Sequence, residues 1–420
     1  MIVSRIVKAW ALKGLGGWYC DDKQAILEGA ERDGYVYKGR PLTPGFRTIR
    51  EPGEALLVTL VGEDGSVGEG DCVSVTYAGG AGRERPFHTE DYLGRVNESV
   101  LPWLLGRSWD CFRDAAAELE AFCQGLSLHP AIQYGLSQAL LSLAASAERC
   151  TVTEVVCREY GLPLPERLVP VGIQTGDDRY LGADKAILKG ADVLPHGLIK
   201  TEEDFGLRGE RLIAYGRWLV ERIDRLAGLG YTPTIHFDVY GCLGKAFQCD
   251  VERMVAFLLE LEKAVRPYDL QIESPVEMAS QGAQIEKMAQ LCAGLREAGG
   301  GVQIIVDEWC NTLEDIRAFA AAGACDMVQI KMPDLGSVAD TIEAVLCCKA
   351  AGVGAYLGGS CNETAVSARV SVGIALATRA DQMLAKPGMG VDEALMIVKN
   401  EMARALVRVA AMPRQVRREA

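Results

Sequence analysis

The sequence predicts an α/β protein of two domains: an N-terminal α+β capping domain over residues 1–165 and a C-terminal (β/α)8 barrel over residues 166–420. Three observations predict it. First, short apolar stretches recur, each ending in a charged residue: Ile235-His236-Phe237-Asp238, Leu270-Gln271-Ile272-Glu273, Ile304-Ile305-Val306-Asp307 and Val328-Gln329-Ile330-Lys331. Second, they stand roughly 25–35 residues apart, the length of a strand plus a crossover helix, and helical patterns fill the gaps. Third, a chain of 420 residues accommodates a barrel of roughly 250 residues and a second domain of roughly 150.

Taken in order, residues 54–61 and 67–75 read as two strands joined by the tight turn Glu63-Asp64-Gly65-Ser66. Gly79-Gly80-Ala81-Gly82-Arg83 lacks the strand–turn–helix setting of a phosphate loop. It reads either as a flexible connection or as a lid that folds over the barrel mouth. From His88 to Glu159 the apolar period is helical, most clearly over 115–122 and 132–147. Leu162-Pro163-Leu164-Pro165 punctuates the chain and sets the domain boundary. Beyond it, strands are expected at 169–175, 191–199, 232–240, 270–274, 302–308, 327–332, 354–359 and 382–386. Helices at 251–265, 313–322 and 338–351 connect some of them, and 391–411 forms a closing helix. The βα spacing is the only internal repeat.

Composition excludes several classes. Hydrophobic residues make up 49% of the chain, enough for a large core, but no apolar run reaches the roughly 18 residues of a membrane span. Met1-Ile2-Val3-Ser4-Arg5-Ile6 has no apolar signal region, so a cytoplasmic location is expected. A net charge of −13 speaks against nucleic acid, which needs a basic face. The 14 Cys include no C-x-x-C pair, so reduced, buried thiols are expected rather than bridges or a thiolate metal site.

Closing the barrel brings the strand C-termini to one rim. Asp238, Glu273 and Asp307 then converge as three hard oxygen donors, the chemistry of Mg²⁺. Singly, such acids are common as helix caps; in register beside an inward Lys they point to a metal site. Side chains alternate along a strand, so Gln329 and Lys331 face inward while Val328 and Ile330 face the helices. Lys331 is a candidate base; the alternative is a lysine that only neutralises the acids. His196 ends the second strand, across the barrel from the sixth, and is either a second base facing Lys331 or a structural histidine. His236 points the same way as Asp238 but deeper, as a supporting residue, while His88 and His129 are expected on the surface or in helices. Gln174 ends the first strand. In Gly358-Gly359-Ser360-Cys361-Asn362-Glu363-Thr364 the glycines allow close backbone approach, so amides and the Ser360 hydroxyl can hold a carboxylate. Cys361 has no His placed to activate it, which favours a backbone role over a nucleophilic one.

These residues resemble the enolase superfamily: a capping domain, a barrel, three acidic metal ligands and an inward lysine. Within it, the sequence most resembles the methylaspartate ammonia-lyases. The matching stretches are Gln174-Thr175-Gly176-Asp177-Asp178-Arg179-Tyr180, Val193-Leu194-Pro195-His196, His236-Phe237-Asp238-Val239-Tyr240-Gly241, Ile272-Glu273-Ser274-Pro275, Val306-Asp307-Glu308-Trp309, Gln329-Ile330-Lys331-Met332-Pro333-Asp334, the glycine-rich stretch from Gly358 to Thr364 and Leu384-Ala385-Lys386-Pro387-Gly388-Met389-Gly390, with Glu69-Gly70-Asp71-Cys72 in the first domain. The resemblance implies reversible loss of ammonia from 3-methylaspartate to give mesaconate, a step of glutamate degradation, in a cytoplasmic homodimer. It implies Mg²⁺ on Asp238, Glu273 and Asp307, with a monovalent cation such as K⁺ as a second ion. Lys331 would remove the C3 proton from one face, and His196 would serve the opposite face or contact the carboxylate next to C3. Gln329 would hold the metal-bound carboxylate, and Gln174, Ser360 and the Cys361 amide the other one. Tyr356 and Leu384 would wall the methyl pocket. Thr76 stands where the family carries Gln near the amine, Gly172-Ile173 where it carries Phe-Gly, and Ser360 replaces Thr. The alternatives are a superfamily racemase or cycloisomerase acting on a carboxylate, and a carboxylate-binding protein without turnover.

Overall fold

The computed structural model describes residues 3–176 and 178–411. The expectations resting on Met1, Ile2, Asp177 and residues 412–420 lie outside the described residues. The first domain contains β1 (Ile6–Asp21), the small hairpin β2 (Arg32–Asp33) and β3 (Val36–Tyr37), and then β4 (Arg50–Gly62) and β5 (Val67–Cys72). The order β1-β4-β5 makes an antiparallel sheet. The β4–β5 hairpin is the one expected from sequence, and the Asp64 side chain closes its turn by accepting the Ser66 amide at 3.0 Å. The long β1 has no counterpart among the expected elements. Register shifts at Ile6/Lys8 and Leu15/Tyr19 interrupt its alternation. Trp10, Leu12 and Leu15 are exposed on it, so no period of two marks the strand.

The helical region resolves into several segments, chiefly Thr89–Arg95, Phe112–Gly125, Pro130–Ala147 and Val152–Glu159. Pro130–Ala147 lies hard against β5. A Cβ at Gly70 would stand 2.0 Å from the Gly135 carbonyl oxygen, so only glycine permits that approach. His88 and His129 are not surface residues. Both are buried at helix N-caps, with His88 Nε2 2.7 Å from Glu51 Oε1 and His129 Nδ1 accepting the Ala131 amide at 3.1 Å.

The second domain is a closed parallel barrel of β6 (Val171–Gly172), β7 (Val193–His196), β8 (Thr234–Asp238), β9 (Leu270–Glu273), β10 (Gln303–Val306), β11 (Met327–Gln329), β12 (Gly354–Leu357) and β13 (Gln382–Leu384). Every expected strand is present, each shorter than its apolar stretch, because the C-terminal residues leave the ladder to form the rim. The helices Val251–Val265, Leu313–Ala321 and Val338–Ala350 follow the expected bounds closely, and Asp392–Ala411 closes the chain. Apolar residues of both domains belong to one continuous core. Among the described residues, no helix is long and apolar enough to cross a membrane.

The first domain covers the rim. Gly17 N donates to Asn362 O at 2.9 Å. Lys23 Nζ reaches Glu277 and Glu308 at 3.0 and 3.1 Å. Residues 79–83 fold over the mouth as the lid alternative anticipated: Asn311 Nδ2 donates to Ala81 O at 2.8 Å, and Arg83 is buried among the rim acids.

Candidate active site

Parallel pairing sets the rim. Asp238 stands in register with Glu273 on β8 and β9, and Asp307 follows directly on β10. Several turns leaving the strands are left-handed: His196 has φ 65°, Tyr240 46°, Ser274 51° and Trp309 62°. Non-glycine residues in that region cost about 1–2 kcal/mol each, and the packed rim holds them there.

Thr76, Gln174, His196, Asp238, Glu273, Asp307, Gln329, Lys331, Ser360 and Cys361 line one cavity. Tyr356 and Leu384 do not. They form a small apolar cluster with Ile305 and Met327, and the Tyr356 ring lies edge-on to that of His236 with centroids 5.9 Å apart. Sequence reading missed Arg83, Tyr77, Tyr240 and Met389, which also line the cavity. Tyr240 and Met389 lay unassigned in the matching stretches. The signal for Arg83 was a single cation on a glycine-rich loop facing a ring of acids.

Glu273 accepts from Gln329 Nε2 at 2.6 Å and lies 2.9 Å from His236 Nε2, so His236 supports a rim acid as expected. Asp307 accepts from Arg83 Nη2 at 3.1 Å and pairs with Lys331. Arg83 Nε also donates to Asp334 at 3.2 Å. Thr76 Oγ1 is 3.3 Å from Ser360 Oγ, and the Cys361 thiol donates to Gln174 Oε1 at 2.7 Å. Burial pushes that thiol up to about 12, which leaves it protonated and unsuited to attack.

Burial, followed by repulsion from Glu273, Glu308 and Asp307, holds Asp238 well above the usual carboxylate range. Burial and the Asp307 charge do the same to Glu273. Glu308 is also buried, but Lys23, Arg83 and Lys331 hold it well below that range. Burial, then His236 and Lys331, keeps His196 neutral, and burial lowers His236 to about 3. The buried Nδ1 of His196 and Oε1 of Gln329 have no hydrogen-bond partner among the described residues.

Asp238, Glu273 and Asp307 outnumber Arg83 and Lys331 in the lining of the cavity. This surplus of carboxyls, with Asp238 and Glu273 pushed towards their neutral form, suits a divalent cation. Among the described residues, the donor atoms within 4.8 Å of one another belong to His196, His236 and Glu273. The carboxylate set is less tightly gathered, since Asp307 turns towards Lys331 and Arg83. An all-oxygen set suits Mg²⁺, Ca²⁺ or Mn²⁺, whereas imidazole nitrogens suit Zn²⁺, Cu²⁺, Fe²⁺ or Ni²⁺.

Residues 4–161 match the family described as methylaspartate ammonia-lyase N-terminus, and residues 163–411 its C-terminus. The chain belongs to the methylaspartate ammonia-lyase family. It is a lyase. It is 50% identical to methylaspartate ammonia-lyase 2 of Carboxydothermus hydrogenoformans over 96% of this chain and 98% of that protein. The structure of the Citrobacter amalonaticus methylaspartate ammonia lyase containing (2S,3S)-3-methylaspartic acid superposes with a TM-score of 0.94, at 46% identity, over 97% of this chain and 100% of that one. That of the β-methylaspartase from Clostridium tetanomorphum, a Mg complex, superposes with 0.92 at 45% identity over 97% and 99%. Muconate lactonizing enzyme from Pseudomonas fluorescens, at 18% identity and a TM-score of 0.58 over 90% of this chain and 87% of that one, shares the fold.

Proposed function

We propose that this lyase removes ammonia from 3-methylaspartate, giving mesaconate, by abstracting the proton at C3. The observation that carries the reading is that Lys331 and His196, from strands on opposite sides of the barrel, line the cavity that also contains Asp238, Glu273 and Asp307. Those three carboxylates would hold Mg²⁺, which when bound supplies positive charge for the carboxylate next to C3, where negative charge builds. The Gln329 amide adds a donor for the same carboxylate. Lys331 Nζ takes the C3 proton from one face. The electron pair released becomes the C2–C3 double bond as the C2–N bond breaks and ammonia leaves. His196, held neutral, is in the form that accepts a proton and would serve the other face. Gln174, Ser360 and the Cys361 amide would hold the remote carboxylate, and Thr76 would lie near the departing amine.

The family also suggests a homodimer in the cytoplasm, and K⁺ as an accessory ion. Incubation with 3-methylaspartate and Mg²⁺ tests the reading. Stoichiometric ammonia and a rising ultraviolet absorbance from the conjugated alkene are expected. Exchange of the C3 proton without ammonia release would point to a racemase instead, and tight binding with neither to a carboxylate-binding protein.

A further inference from the structure

Glu363 and Lys386 lie in the matching stretches but have no part in the chemistry above, yet both are fully buried ions. Lys386 Nζ donates to Glu363 Oε2 at 2.9 Å and Oε1 at 3.0 Å, and to the Gly358 carbonyl at 2.9 Å. Glu363 Oε2 accepts the Ser360 amide at 2.9 Å, and Oε1 accepts the Tyr134 hydroxyl at 2.6 Å. Tyr134 lies on the first-domain helix Pro130–Ala147 and is itself fully buried. One carboxylate is therefore held from three directions: the end of the barrel, the rim turn and the cap.

A buried ion pair is a poor source of stability, because desolvation cancels most of the attraction and apolar replacements are often neutral or better. What this pair fixes is the turn over residues 358–361. Gly359 has φ 112°, and a Cβ there would stand 1.8 Å from Glu363 Oε2 and 2.8 Å from Lys386 Nζ, so the ions pack directly against the turn's backbone. The turn is pinned at the Gly358 carbonyl and at the Ser360 amide. Two backbone bonds continue the anchorage: Gly17 N to Asn362 O at 2.9 Å and Gly388 N to Cys361 O at 2.8 Å. The far side of the turn presents Ser360 and Cys361 to the cavity.

We infer that Glu363 and Lys386 are positioning residues. They set the Ser360 hydroxyl and the Cys361 amide for the substrate carboxylate remote from C3, and Tyr134 ties that setting to a seated cap. The ligand class rests on the function proposed above; the mechanical role does not. Two variants test it. Tyr134→Phe removes only the hydroxyl from the cap. Glu363→Leu/Lys386→Met replaces the ion pair by apolar side chains of similar size, which leaves no unpaired buried charge. Faster amide deuterium exchange over residues 358–363 is expected in both variants without ligand. Mesaconate affinity and KM are expected to weaken about threefold in the first and about tenfold in the second, as one or more hydrogen bonds are lost. The kcat changes less than KM, and Mg²⁺ affinity stays at the wild-type value. Unchanged exchange and unchanged KM in Tyr134→Phe would overturn the inference, whether or not the double variant folds. So would Mg²⁺ affinity falling in step with KM, the mark of general damage. A wild-type protein that neither deaminates 3-methylaspartate nor binds mesaconate would overturn the proposed function, and deuterium exchange would still decide the positioning role.

Discussion

Lys331 is partnered by Asp307, and Asp307 in turn by Arg83, so a single carboxylate links the proposed base to the metal set. Asp307→Asn keeps the shape and removes the charge. Turnover is expected to fall by ~10³-fold or more with the fold retained, since positive charge aimed at developing negative charge is a leading catalytic contribution. Activity near wild type in saturating Mg²⁺ would remove Asp307 from the ligand set. Lys331→Ala and His196→Ala should part company on stereochemistry. Loss of Lys331 is expected to abolish reaction of one C3 epimer by roughly 10²-fold or more, the usual contribution of a general base. Loss of His196 should spare that epimer and sharpen selectivity for it. Equal losses on both epimers in both variants would mean that the two groups do not face each other across C3.

Among the elements, helix Val338–Ala350 carries a defined electrostatic cost. Ser337 caps it by accepting the Ala339 and Asp340 amides at 3.1 and 3.4 Å. Asp340 is raised to about 6 by burial and by Glu120, Glu314 and Glu343 nearby. A carboxyl whose folded value lies above its unfolded one contributes most when both states are protonated. That contribution drains away as the pH rises from about 4 through about 6. Asp340→Asn should therefore stabilise the protein by about 1 kcal/mol above that window, a figure discounted for partial exposure, and by little below it. Urea midpoints across the range decide it; a pH-independent difference would place the effect in the cap geometry instead.

At the scale of the whole molecule, the site is complete only when the first domain is seated on the barrel. Arg83, Thr76 and Tyr77 come from that domain, and Lys23 crosses to Glu277 and Glu308. Lys23→Met leaves Glu308, which is buried, without its salt-bridge partner, and is expected to cost about 3 kcal/mol. Adding Glu308→Gln should recover part of that loss. A double variant as unstable as the sum of the single ones would show that the two residues do not act as a pair.

How much of this was legible in the chain depended on where the physics lies. Barrel strands bury both faces, so their apolar stretches stand out, and the residue ending each stretch reaches the rim without further information: Asp238, Glu273, Asp307, Gln329 and Lys331 could all be read in order. The β4–β5 hairpin carried its own turn. By contrast, β1 hid behind broken register and an exposed apolar face. The burial of His88 and His129 depended on partners roughly 40 residues away or more in the chain. Arg83 looked like a loop residue until the fold brought it to Asp307. The sequence by itself determined the barrel, the order of its rim residues and the chemical types that meet there, because these follow from local period and spacing. Only the tertiary structure decided which charges are paired, which carboxyls are pushed towards neutrality and which cap residues complete the site, because those depend on contacts between segments whose distance in sequence carries no signal.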